Sequence, residues 1–155
     1  MKAATVNDIK QEISQLTKKE VEALCQRLAR FKKENKELLT YLLFEAGNEE
    51  GFVSSIKAEI DELFADLPKP NWYFTKKALS KILRLISRYS KYTAVKESHV
   101  QMLLHFCYNV KQMHTKNRAL TEMYSKQVKK LHGLIALLHE DLRYDYERQL
   151  SQLEE

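Results

Sequence analysis

The side chains best suited to chemistry in this 155-residue sequence are five histidines, two cysteines and a few close carboxylates. Their spacing builds no recognisable catalytic or metal site. The histidines are His99, His105, His114, His132 and His139, and no two lie four apart around a glutamate, the pattern that sets two imidazoles and a base on one helix face for zinc peptidase chemistry. Three residues before them stand Lys96, Met102, Lys111, Lys129 and Ala136, so the Glu-to-His step of a diiron bundle is missing as well. His132 and His139 share a helical face beside Glu140 and Asp141, which reads as a surface pair rather than half a metal site. His105 and Cys107 are two apart and point in different directions from a helix, so they make no local base and nucleophile. Glu59 and Glu62, or Glu45, Glu49 and Glu50, place carboxylates close together without the partners that acid–base work needs. Three glycines in all leave no glycine-rich cradle for phosphate. The expectation is a non-enzymatic protein with no catalytic residue, no cofactor and no metal.

Charge is more informative. The formal net charge of +5 conceals segments of opposite sign: residues 68–96 hold eight basic and no acidic side chains, while residues 1–67 are net −3 and residues 139–155 net −4. Lys77, Lys81, Arg84, Arg88 and Lys91 follow one another at steps of four, three, four and three, which lines all five along one helical stripe opposite Ile82, Ile86 and Tyr89. As a polyanion-binding face this stripe would contact nucleic-acid phosphates without sequence-specific geometry. The competing reading is an ordinary solvated face partly paired with Glu49, Glu50 or the acidic tail. A helix-turn-helix over 75–114 is a weaker expectation, with Ser98, His99, Gln101 and Gln112 as the base-facing polar residues. Aromatic side chains supply the alternative kind of site: Trp72, Tyr144 and Tyr146 are candidate anchors for a protein partner, against core packing for Trp72 and partial burial for the two tyrosines.

The elements that must hold these residues are helices. Ile9, Ile13 and Leu16 mark a short first helix after Thr5 or Asn7, and Thr17-Lys18-Lys19-Glu20 is a capping box that starts a second at Lys18. Val21, Leu24, Leu28 and Phe31 give its apolar face, continued by Leu38, Leu39, Leu42 and Leu43 to a left-handed stop at Gly47. Asn35 interrupts that face, so 18–46 is either one long helix or two with a bend near Lys33 to Asn35. Phe52, Ile56, Ile60, Leu63, Phe64 and Leu67 form another stripe, ended by Pro68-Lys69-Pro70. Trp72, Tyr73 and Phe74 are expected to anchor the first turn of the basic helix in the core. A helix from about Glu97 to His114 follows the loop at Thr93 to Val95. From Thr115 to Arg148 the series Leu120, Tyr124, Val128, Leu131, Ile135, Leu138 and Leu142 reads as one long helix, closing a bundle or supplying a dimer seam.

With 44% apolar and 30% charged residues and only two prolines, the composition excludes a disordered chain and a many-stranded barrel. The fold expected is all-α, a five- or six-helix bundle or else an irregular α-α superhelix. It is read as a single domain over 1–155 with a hinge at 68–71 and a frayed acidic end from about 149. Cys25 and Cys107, 82 positions apart on apolar patterns, read as buried free thiols of a reducing cytoplasm. No stretch approaches the about 20 apolar residues of a membrane span. The function expected is a protein-interaction or structural adaptor that engages a protein partner or self-associates through the C-terminal helix; the alternative is nucleic-acid or other polyanion binding by the basic face at 75–92.

Overall fold

A computed structural model describes residues 2–68, 71–114 and 116–154. Among these are eight α-helices and no strand, so the chain is all-α. It divides into two compact units, Met1–Phe44 and Glu45–Glu155, where one domain was expected. The hinge read at 68–71 falls on Lys69 and Pro70, which lie outside the described residues.

The first unit holds α1 (Val6–Ser14), α2 (Lys18–Phe31) and α3 (Lys33–Thr40). Thr5 caps α1: its Oγ1 accepts from the Asp8 amide at 3.2 Å while the Asp8 carboxylate accepts from the Thr5 amide at 3.0 Å. The expected box at α2 forms likewise, with the Thr17 amide donating to Glu20 at 2.7 Å. The stripe over 18–46 is broken, because Lys32 is extended at φ −142°, ψ 147° and separates α2 from α3. Asn35 makes that bend workable: its Nδ2 donates to the Leu28 carbonyl at 2.9 Å, satisfying one of the acceptors that the end of α2 leaves open. No residue of α1, α2 or α3 is buried. A π-helical turn over Tyr41–Glu45 follows α3. Gly47 is no left-handed stop, since no described glycine has positive φ; Asn48 instead begins the next helix, accepting from the Gly51 amide at 3.0 Å.

The second unit is a five-helix bundle of α4 (Glu49–Ala65), α5 (Trp72–Thr93), α6 (Lys96–Gln112), α7 (Arg118–Ile135) and α8 (Glu140–Glu154). Its axis is α6, which packs against each of the other four. Val100, Met102, Leu103, Leu104, Phe106, Cys107 and Val110 are all buried, so α6 has an unusually wide apolar face, as a central helix must, with Gln101, His105, Tyr108 and Gln112 left on its remaining side. Ile60, Leu79, Ile82, Ile86, Leu120, Leu131 and Leu150 close on it from its neighbours, and the Phe106 ring meets Phe64 edge-on at 5.5 Å. The helix-turn-helix reading fails here: α6 packs against four helices and so cannot lie in a DNA groove. Ser98 is buried and donates to Glu49, and Gln101 accepts from Lys57.

The segment expected as one long helix is two. Arg143 Nη2 donates to the carbonyls of Ala136 and Leu138 at 3.0 and 3.2 Å, capping the end of α7, and the chain turns back as α8. The turn buries Leu138, Tyr146, Leu150 and Leu153, so the end from about 149 is packed helix rather than frayed tail. Tyr124 holds it, donating to the Leu153 carbonyl at 2.6 Å. An apolar stripe that continues on both sides of a break gives periodicity nothing to register. None of the described helices is long and apolar enough to cross a membrane.

Candidate functional site, the solvent face of α5

The buried side of α5 is set by Thr75, Leu79, Ile82, Ile86 and Thr93. Steps of three and four from Leu79 fix the opposite side, and Lys77, Lys81, Arg84, Arg88 and Lys91 occupy it. Lys77, Lys81, Arg84 and Lys91 are exposed and Arg88 half-buried. The Arg88 guanidinium lies 5.5 Å from the centre of the Tyr89 ring, while Arg84 Nε donates to the Ser80 carbonyl at 3.3 Å. Ion pairs elsewhere join Lys18 to Glu22, Lys33 to Glu37 and Arg118 to Glu122, each one turn apart. Among the described residues none joins Lys77, Lys81, Arg84 or Lys91 to a carboxylate.

The start of α5 departs from expectation. Asn71 caps it, its Oδ1 accepting from the Tyr73 amide at 3.1 Å. The residue that anchors the first turn is Thr75, whose hydroxyl reaches the carbonyl of Pro68 at 2.7 Å. Trp72, Tyr73 and Phe74 are 44%, 71% and 51% exposed rather than in the core. Tyr73 and Phe74 form an edge-on pair at 5.4 Å. Tyr73 lies four before Lys77, and Phe74 lies three before Lys77 and seven before Lys81, so both rings flank the head of the basic stripe. The signal was present in the sequence: the stripe Ile86, Ile82, Leu79 runs back to position 75 and passes by 73 and 74.

The other proposed anchors separate. Tyr144 is 72% exposed. Tyr146 is buried, and its hydroxyl donates to Glu97 at 2.7 Å; burial raises its pKa well above the usual phenol value, and the Glu97 bond adds to the rise. It is a packing residue and offers no anchor. The apolar seam expected on the C-terminal helix is likewise used inside the unit, with Leu120, Val128, Leu131, Ile135 and Leu138 all buried.

Sequence reasoning missed the apolar surface of the first unit. Ile9 and Ile13 on α1, and Leu24, Leu28 and Phe31 on α2, remain exposed, Phe31 by 74%. Cys25 on α2 is exposed, whereas Cys107 is buried. Burial pushes the Cys107 thiol up to about 12, which leaves no thiolate for attack near neutral pH.

A polar cleft of about 560 Å³ runs between α6 and α8, with Lys57 of α4 at its rim. Its one imidazole, His105, is engaged by Asp61 at 2.6 Å, and Asn109 holds the same carboxylate oxygen at 2.7 Å. Among the described residues no three His, Cys, Asp or Glu side chains are grouped so as to hold a metal ion. The chain matches no protein-family model, no curated protein and no solved structure in these comparisons.

Proposed function

We propose that this chain is a non-enzymatic protein-interaction module of the cytoplasm that docks through the apolar stripes of α1 and α2. The observation that carries this reading is that three helices of the first unit bury no residue while presenting Ile9, Ile13, Leu24, Leu28 and Phe31. A unit of this size, without a disulfide, lies near the limit of about 40 residues below which oligomerisation, metal or cross-links usually supply the missing stability. The occupant of the stripes is a second copy of the chain: symmetric self-pairing is the commonest way for soluble proteins to cover such a face. Self-association thus moves from the C-terminal helix, whose seam is spent on the bundle, to the N-terminal helices. Light scattering on a sizing column, under reducing conditions that keep Cys25 from cross-linking, gives a dimer for the native chain. The pair Leu24→Glu and Leu28→Glu gives a monomer with unchanged helical circular dichroism. A native chain that runs as a monomer overturns the reading.

A second reading is favoured by α5. Like charges one turn apart cost a helix about 0.2–0.5 kcal/mol per pair, and four of the five cations on its stripe, Lys77, Lys81, Arg84 and Lys91, face solvent without a carboxylate among the described ion pairs. A bound polyanion would repay that cost. On this reading the protein binds polyanions through α5, and heparin binding that weakens with salt tests it.

A further inference from the structure

We propose that the solvent face of α5 binds single-stranded nucleic acid, with Lys77, Lys81, Arg84 and Lys91 taking phosphates and Tyr73 and Phe74 stacking on bases. This rests on the polyanion reading and names the ligand. Together with Arg88 these four make five cations from Lys77 to Lys91 on α5, a span of about 21 Å at the α-helical rise. No acidic residue occurs between Asp66 and Glu97, so nothing on this stretch of chain repels a phosphate strand laid along it.

The rings decide which polyanion. Charge alone attracts duplex, single strand and acidic polysaccharide alike, but an exposed aromatic face gains only from a base free of its own stack. Tyr73 and Phe74 are 71% and 51% exposed at the head of the stripe, and they stand edge-on to one another, 5.4 Å between ring centres. A duplex hides the faces of its bases, so the two exposed rings would add nothing to its binding. A lipid surface fits less well. An interfacial helix lays its apolar side into the bilayer, and in α5 that side, Leu79, Ile82 and Ile86, is buried in the bundle.

The test is fluorescence anisotropy of the full chain with a short oligothymidylate, the matching duplex, fluorescent heparin and phosphatidylserine vesicles, each in a salt series. Oligothymidylate is expected to bind tightest, with log Kd rising with log salt at a slope of about 3, as four phosphate contacts on a single strand require. Tyr73→Ala with Phe74→Ala should weaken oligothymidylate binding by about tenfold or more and leave heparin binding unchanged. Lys77→Gln, Lys81→Gln and Arg84→Gln together should weaken both. All five positions are exposed, so unchanged melting curves will show that the variants fold. If the ring variant binds oligothymidylate as the native chain does, or if duplex binds as tightly as single strand, the single-strand proposal falls and the polyanion reading stands. If only vesicles bind, the proposal falls in favour of a lipid surface. If heparin and oligothymidylate both fail to bind at low salt, the proposal and the reading beneath it fall together.

Discussion

Several side chains of the second unit have their chemistry set by their surroundings, and His99 shows it most clearly. Half-buried on α6, it has its pKa lowered from 6.5 to about 4, chiefly by burial and secondarily by the nearby positive charge of Lys130. Its Nε2 is buried without a hydrogen-bond partner among the described residues. The folded protein therefore keeps this imidazole neutral at a pH where the unfolded chain protonates it. Between about pH 6.5 and 4 the unfolded state binds more protons, so the stability His99 contributes is full above 6.5 and is lost as the pH falls toward 4. Melting temperatures measured across this interval should fall with pH, and less steeply in His99→Gln, which has no group to titrate there. Equal slopes for the two proteins would show that other groups govern the acid limb.

At the scale of the element, helix propensity and tertiary packing can be separated at two glycines. Gly133 lies inside α7, exposed, and a Cβ built on it meets no atom within 4 Å. Gly133→Ala should therefore stabilise the protein by about 0.5–1 kcal/mol, read as a higher denaturation midpoint with an unchanged slope. Gly51 is the contrast: a Cβ there would fall 2.3 Å from Asn48 Nδ2, whose side chain caps α4. The same contrast between local and tertiary signals explains what the sequence made legible. The capping box at Thr17, the stripe of α5 and the buried face of α6 are encoded by residues three and four apart and could be read directly, whereas the box at Thr5 was legible only as a choice of cap between Thr5 and Asn7. The break at Lys32 depends on Asn35 reaching a carbonyl seven residues back, and the turn after Ile135 depends on Arg143 doing the same. The first shows in the apolar period only as Asn35 interrupting the face, which leaves one helix or two open, and the second leaves no mark there. The rings at 72–74 were misplaced because aromatic character was weighed ahead of phase, although the phase of Leu79 and Ile82 already set Tyr73 and Phe74 with the lysines. Of the candidate site, the cations were read correctly, and the aromatic end was legible in the phase but assigned to the core.

For the whole molecule, the distribution of buried side chains places nearly all of the core in one unit, and on the proposed reading the docking surface lies in the other. Apart from Tyr41, every buried apolar residue among those described lies between Phe52 and Leu153, and α6 packs against each of its four neighbours. The helices α1 and α2 bury no residue of their own. Hydrophobic burial is the main favourable contribution to folding, so the chain shortened to residues 45–155 should keep a single cooperative unfolding transition. Its midpoint should lie within a few degrees of the full chain's, followed by circular dichroism under monomeric conditions. Because the stripe and Tyr73 and Phe74 all lie on α5, the shortened chain should also retain any affinity for oligothymidylate while losing self-association. A broad, non-cooperative transition for 45–155 would mean that the first 44 residues complete the core, and would undo the division between a folded unit and a docking arm. Concentration dependence gives the complementary check: if α1 and α2 pair with a second copy, the full chain alone should melt at a higher temperature as its concentration rises, since dimerisation stabilises only the folded form that makes the pair.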